Sequence, residues 1–122
     1  MYKEKSVSVV IPAYNEEKLI AKAISNVPEF VEKIIVVNDA SKDKTLEIVQ
    51  QIKKTNIKVQ LIDHEKNQGV GGAIASGYKW SRDNEIDIAV VMAGDAQMHP
   101  DDLPRLLDAI VEQGADFAKG KG

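Results

Sequence analysis

The chain has 122 residues, enough for one domain with a modest core. Its 43% hydrophobic and 29% charged residues describe a folded globular chain and exclude a disordered one. The net charge of -3 comes from 16 basic and 19 acidic residues scattered along the chain, so nucleic acid finds no basic stripe, and the absence of cysteine excludes disulfides and thiolate metal sites.

The charged start, Met1 to Lys5, is not a signal-peptide core, and no run approaches the roughly 20 apolar residues of a membrane span. The expected location is the cytoplasm.

Residues 6–11 (SVSVVI), closed by Pro12, form a β-branched run that predicts a strand buried on both faces. Over residues 16–27, Leu19, Ile20, Ala23, Ile24 and Val27 share one helical face. Asn15 is placed to cap that helix, Glu16 and Glu17 suit its positive end, and Pro28 closes it. Residues 33–37 (KIIVV) predict the second strand. Residues 43–53 predict the second helix, with Leu46, Val49 and Ile52 inward. Residues 57–62 alternate Ile57, Val59 and Leu61 with Lys58 and Gln60, a strand with one wetter face. Gly69 to Gly72 open a third helix running through Ala73, Ile74, Gly77 and Tyr78 to about Trp80. Residues 86–92 (IDIAVVM) predict the fourth strand. His99 to Asp102 begin a last helix striped by Leu103, Leu106, Leu107, Ile110 and Val111, and residues 116–119 begin a fifth strand. Strand and helix in strict alternation imply a doubly wound α/β domain over residues 1–122, its sheet mostly parallel and covered by helices on both faces.

In such a sheet ligands lie beyond the carboxyl ends of the strands. Those ends read Pro12-Ala13-Tyr14-Asn15-Glu16, Asn38-Asp39-Ala40-Ser41, His64 to Gly72, and Ala93-Gly94-Asp95-Ala96-Gln97. Each has a plain structural explanation beside a functional one. Pro12 can end a strand, Asn15 and Glu16 can start a helix, and Asp39 and Ser41 can serve a turn. Most of Gly69, Gly71 and Gly72 can serve a tight turn and close helix–sheet packing. Asp95 is the least easily explained this way: it follows the most apolar strand, among small residues that leave room for a ligand. Two familiar phosphate-binding patterns fail. The dinucleotide fingerprint would need glycine where Ile74 stands, and the P-loop lysine is replaced by Tyr78.

Taken together, the four rims resemble the GT-A glycosyltransferases of family 2, which include the polyprenyl-phosphate mannosyl- and glucosyltransferases. Pro12-Ala13-Tyr14-Asn15-Glu16 matches P-x-Y-N-E. Val37-Asn38-Asp39-Ala40-Ser41-Lys42-Asp43-Lys44-Thr45 matches V-D-D-x-S-x-D-x-T except at Asn38, and Asn67, Gly69, Gly71 and Ala73 match N-x-G-x-G-x-A. Asp95 matches the last acid of an Asp-x-Asp metal motif whose first acid is here Ala93, and Gln97 the glutamine that follows.

The resemblance implies a Rossmann-like nucleotide-binding half of a GT-A domain. Pro12, Tyr14 and Glu16 would line the nucleotide pocket, Tyr14 near the base and Glu16 near the ribose. Val37 and Asp39 would hold the base, Asp39 by accepting from a ring N–H. Gly94 and Asp95 would complete the nucleotide site, and Asp95 with Gln97 would hold Mg²⁺ or Mn²⁺. The donor would be a UDP- or GDP-sugar, its base and sugar left open, and the acceptor a molecule such as a polyprenyl phosphate. The expected chain stops where the acceptor-binding part would begin, so it binds donor, lacks a catalytic base and exposes sheet edges through which it could self-associate. Two other classes compete. A sugar-phosphate nucleotidyltransferase would want a Gly-rich basic loop after the first strand, which Pro12-Ala13-Tyr14-Asn15 is not. A non-enzymatic α/β binding module would explain the alternation but not the first-strand motif.

Overall fold

The computed structural model describes residues 5–92. The expected last helix and fifth strand, and Ala93, Gly94, Asp95 and Gln97, lie outside the described residues. In chain order the elements are β1 (Val7–Ala13), α1 (Ile20–Ser25), β2 (Lys33–Asn38), α2 (Thr45–Thr55), β3 (Val59–Asp63), α3 (Gly69–Asp83) and β4 (Ile88–Val91). The four strands form one parallel sheet in the order β3-β2-β1-β4. The chain therefore builds outward from β1 through β2 to β3 and returns to the far side of β1, the strand-order reversal beside which α/β sheets open a crevice.

Because side chains alternate across a strand, β1 divides its residues between two cores. Val7, Val9, Ile11 and Ala13 pack with Ile20, Ala23 and Ile24 of α1 and Val49 of α2. Val10 packs on the opposite face with Ile35, Val37 and Ala73. The expected burial of this strand on both faces is what the fold shows. On the α3 side, contact is close because Gly77 lies against Val10: a Cβ there would fall 2.3 Å from Val10 Cγ1. The buried hydroxyls of Ser8 and Ser81 meet at 2.7 Å beside it.

Several expectations are corrected. Pro12 does not end β1, which runs on to Ala13 with Pro12 paired to Val37. Ser6 O and Val10 O accept from Ile88 and Met92, so the backbone of even-numbered residues faces β4, and the N–H that Pro12 lacks falls on that side. The first helix is short, and Asn15 does not cap it. Asn15 sits in the left-handed region (φ 55) and turns its Oδ1 to the Lys42 N–H at 2.8 Å instead. Residues 16–19 form a turn in which Glu16 O accepts from Leu19 and Ile20, leaving α1 with no acid in its first turn. Ile57 falls outside β3 and is 87% exposed, while Leu61 packs on the α1–α2 core and Ile62 on the α3 core. The expected wetter face of β3 is thus the one that carries Ile62. Finally, neither Gly71 nor Gly72 packs on the sheet; the close approach belongs to Gly77.

Candidate functional site

Beyond the carboxyl ends of β1 and β2 lies a cleft of about 410 Å³. Pro12 and Ala13 at the end of β1 wall it, as do Tyr14 and Glu16 in the loop after β1 and Asp39 directly after β2. Asn67, Gly69, Val70 and Ala73 close it from the start of α3. Of the residues expected from sequence, Pro12, Tyr14, Glu16 and Asp39 are thus brought together. Val37 is not a wall of the cleft: it is fully buried in the α3-side core against Val10, Ile35 and Ala73, and offers a ligand no surface. Tyr14, 44% exposed, and Val70, 67% exposed, give the cleft two accessible apolar flanks. Gly69 holds φ +81, which lets the chain turn from Asn67 into α3, and a Cβ there would meet nothing within 4 Å.

The loops behind the cleft are tied to each other. The backbone N–H groups of Asn15, Glu16 and Glu17 donate to Ser41 Oγ (2.9 Å), Thr45 Oγ1 (2.9 Å) and Asp43 Oδ2 (3.1 Å). In return, the Lys42 and Lys44 N–H groups donate to Asn15 Oδ1 and Glu17 Oε1. Asp43 Oδ1 takes both the N–H and the hydroxyl of Thr45, fixing the start of α2. Burial pushes the Asp43 pKa up, but the hydrogen bonds from Thr45 and the Glu17 N–H outweigh it, and the group is held below the ordinary carboxylate value.

Asp39 is the most constrained group in the cleft. Its N–H donates to Ala13 O, and its carbonyl accepts from Asn67 Nδ2. Its Oδ1 accepts from the Gln68 N–H at 2.8 Å and from His64 Nδ1 at 2.9 Å. Burial raises its pKa, and the Gln68 N–H, His64 and the Gly69 N–H together more than reverse this, so it is held ionised below its ordinary value. An ionised carboxylate only accepts, so Nδ1 of His64 carries a proton; in the neutral ring Nε2 then accepts from the Ser76 hydroxyl at 2.8 Å. His64 had no assigned role in the sequence. The available signal was register: Asn38 pairs with Asp63, so the residues that follow them, Asp39 and His64, emerge side by side.

The same register accounts for Asn38, where the family pattern has an acid. Asn38 is buried and donates from Nδ2 to Asp63 Oδ1 at 2.9 Å. A carboxylate there would face another across the strand pair. Among the described residues no group of three or more His, Asp or Glu side chains could hold a metal ion.

A parallel sheet of this order with its cleft beyond β1 and β2 defines a Rossmann-like α/β domain. The family model described as "Glycosyl transferase family 2" matches residues 8–121, and the chain belongs to that family. It is 35% identical, over 96% of its length, to a UDP-N-acetylglucosamine--dolichyl-phosphate N-acetylglucosaminyltransferase of Methanococcus voltae, of which it covers 52%. It is 34% identical, over 93% of its length, to a dolichol-phosphate mannosyltransferase of Pyrococcus furiosus, of which it covers 32%. The chain spans about half the length, or less, of the curated relatives it matches. Among solved structures, the mannosyltransferase PcManGT of Pyrobaculum calidifontis, in complex with GDP-Man and Mn²⁺, superposes with a TM-score of 0.73 at 23% identity. That match covers 87% of this chain and 32% of the other.

Proposed function

We propose that the chain is the donor-binding part of a glycosyltransferase that takes a sugar from a nucleoside-diphosphate sugar and passes it to an acceptor such as a polyprenyl phosphate. The observation that carries this reading is the cleft itself. Pro12, Tyr14, Glu16 and Asp39, four of the residues that the family pattern assigns to the nucleotide, line one cavity beyond the strand ends. Asp39 supplies an ionised acceptor there, suited to a ring N–H, and Tyr14 an apolar flank suited to the face of a base. Val37 serves by packing: it holds the end of β2, and with it Asp39, in place. The names of the relatives support a lipid-phosphate acceptor: two of them act on dolichyl or dolichol phosphate.

Mg²⁺ or Mn²⁺, held by Asp95 and Gln97 beside Gly94, would stabilise the negative charge that develops on the leaving diphosphate. A single carboxylate is chemically sufficient for such an ion, because Mg²⁺ completes its shell with phosphate oxygens and water. Ala93, in place of a first acid, makes Asp95 the one charged ligand that this stretch supplies.

Isothermal titration of the chain with UDP and GDP, each with and without Mn²⁺, tests the reading. At least one nucleotide should bind, more tightly with the ion. Asp95→Ala should abolish the gain from Mn²⁺ and leave binding in the absence of the ion unchanged. Absence of binding by either nucleotide defeats the donor-site assignment, and a gain from Mn²⁺ that survives Asp95→Ala defeats the metal assignment.

A further inference from the structure

Asp39 has two carboxylate oxygens, and they are not equivalent. An oxygen of this kind accepts about two hydrogen bonds. Oδ1 already has two, from His64 Nδ1 and the Gln68 N–H, at 2.9 and 2.8 Å. The Gly69 N–H, which donates to Asn67 Oδ1 at 3.0 Å, adds to the hold on the same carboxylate. What Asp39 retains for a ligand in the cleft is therefore Oδ2 alone. His64 cannot swing away freely, because its far nitrogen is engaged by Ser76 Oγ on α3 at 2.8 Å, and the ring is buried.

Nucleobases differ in what they would ask of such a group. The edge of guanine presents two neighbouring donors, the N1–H and the exocyclic amine, which match a carboxylate with both oxygens open, as the two donors of a guanidinium do. Uracil presents one, its N3–H, with a carbonyl on either side. A carboxylate offering a single oxygen satisfies the one ring donor of uracil. Its second oxygen, already covered by two N–H donors, does not confront the neighbouring uracil carbonyl as a bare charge. For guanine the same carboxylate leaves one donor without its partner, and an unmet polar group in a partly desolvated site weakens binding. Cytosine has no hydrogen at N3; only its exocyclic amine could donate to Oδ2, and that would set the bare N3 lone pair beside the carboxylate.

From this we infer that the donor is a uridine-diphosphate sugar and that His64 is the positioning residue that makes the site selective for it, by occupying Oδ1 of Asp39. The inference rests on the reading of the cleft as a nucleotide site and goes further by naming the base. Ser76 acts one step behind, fixing the His64 ring.

The test is the relative affinity of the chain for UDP, GDP and CDP, measured by isothermal titration with Mn²⁺ present. UDP is expected to bind at least about tenfold more tightly than GDP or CDP, the discrimination that one lost hydrogen bond supplies. GDP binding as tightly as UDP overturns the inference and leaves the nucleotide-site reading standing, whereas binding of none of the three overturns that reading itself. His64→Leu, checked for folding by circular dichroism and urea unfolding, frees Oδ1 and should shrink the UDP-to-GDP ratio to about threefold or less. His64→Asn restores a donor near the position of Nδ1 and should recover the ratio. If His64→Leu weakens all three nucleotides equally, His64 is only structural and the positioning role falls. If His64→Leu does not fold, the wild-type ratio and the His64→Asn ratio carry the test, and loss of selectivity in a folded His64→Asn counts against it.

Discussion

The loops after β1 and β2 hold two sets of residues interleaved along the same few positions. Asn15, Glu17, Ser41, Asp43 and Thr45 bind the two loops to each other through backbone N–H groups and one another. Tyr14, Glu16 and Asp39, their immediate neighbours, wall the cleft. The bracket satisfies backbone groups that would otherwise need water, and in doing so fixes where the cleft residues stand. The difference teaches that a motif such as P-x-Y-N-E is two devices read as one: alternate residues build the support and the site. Substitution separates them, because loss of a bracket residue should appear as stability and loss of a cleft residue as affinity.

The largest effect is expected where both duties meet, at Asp39. Asp39→Ala removes the acceptor for His64 Nδ1 and the Gln68 N–H as well as the oxygen proposed to meet the ligand. Nucleotide affinity should fall at least about thirtyfold, roughly 2 kcal/mol, and stability by about 2–4 kcal/mol, since buried donors are left unmet. Titration calorimetry and urea unfolding read the two losses separately. A loss of affinity with no loss of stability would show that the His64–Gln68 clamp contributes nothing to the fold.

Asp43→Ala should show the opposite balance. It removes the acceptor for Thr45 and for the Glu17 N–H, at a cost of about 1–3 kcal/mol, with affinity of the folded protein kept within about threefold. The acid dependence follows from the same bonds. Asp39 and Asp43 both have folded-state pKa values held below the ordinary 3.8, so their contribution is fully present above that value and is lost as pH falls below it toward the folded-state values. Unfolding midpoints measured between neutral pH and about pH 3 should therefore decline at the acid end. Asp43→Asn should flatten that decline, and an unchanged slope would remove Asp43 from the acid response.

Much of this was legible before any coordinates, and the reasons are local. Val7 to Ile11 and residues 33–37 are β-branched runs with few other ways to bury themselves, so sheet and strand order of appearance follow from pattern alone. The convergence of Pro12, Tyr14, Glu16 and Asp39 follows from parallel strands delivering their carboxyl ends to one edge. The neighbourhood of Asn15 looks like a helix start, and only the nearby Lys42 N–H, 27 residues along the chain, explains its left-handed backbone. The role of His64 depends on a partner 25 residues away, and Gly77 on its approach to Val10, neither of which periodicity encodes. Motif position points Val37 at the ligand, while strand alternation sends its side chain into the core.

Asn38 gives a smaller and more selective test. Asn38→Asp restores the family pattern but sets a second carboxylate against Asp63, now 2.9 Å from the amide. The substitution should destabilise by about 1–2 kcal/mol at neutral pH, with the deficit shrinking as pH is lowered and one of the two acids takes a proton. Pairing it with Asp63→Asn should recover most of the loss, and failure of that rescue would mean that repulsion across the strand pair is not its cause.

The smallest effect should come from Ala40, the residue between the cleft and the bracket. It adopts φ 62, which places Asp39 toward the cleft and Ser41 toward Asn15 on either side of it. An L-residue in that conformation costs about 1–2 kcal/mol, and glycine relieves this but adds roughly 0.4–1 kcal/mol of unfolded-state entropy. Ala40→Gly should therefore raise stability by between nothing and about 1.6 kcal/mol, with nucleotide affinity unchanged. The neighbouring bonds, Asp39 N–H to Ala13 and Asn67 Nδ2 to Asp39 O, already hold the turn, so glycine's added freedom has little to act on. A clear drop in affinity with stability preserved would show that Ala40 itself keeps Asp39 aimed, and that bracket and cleft are coupled through the backbone at this one residue.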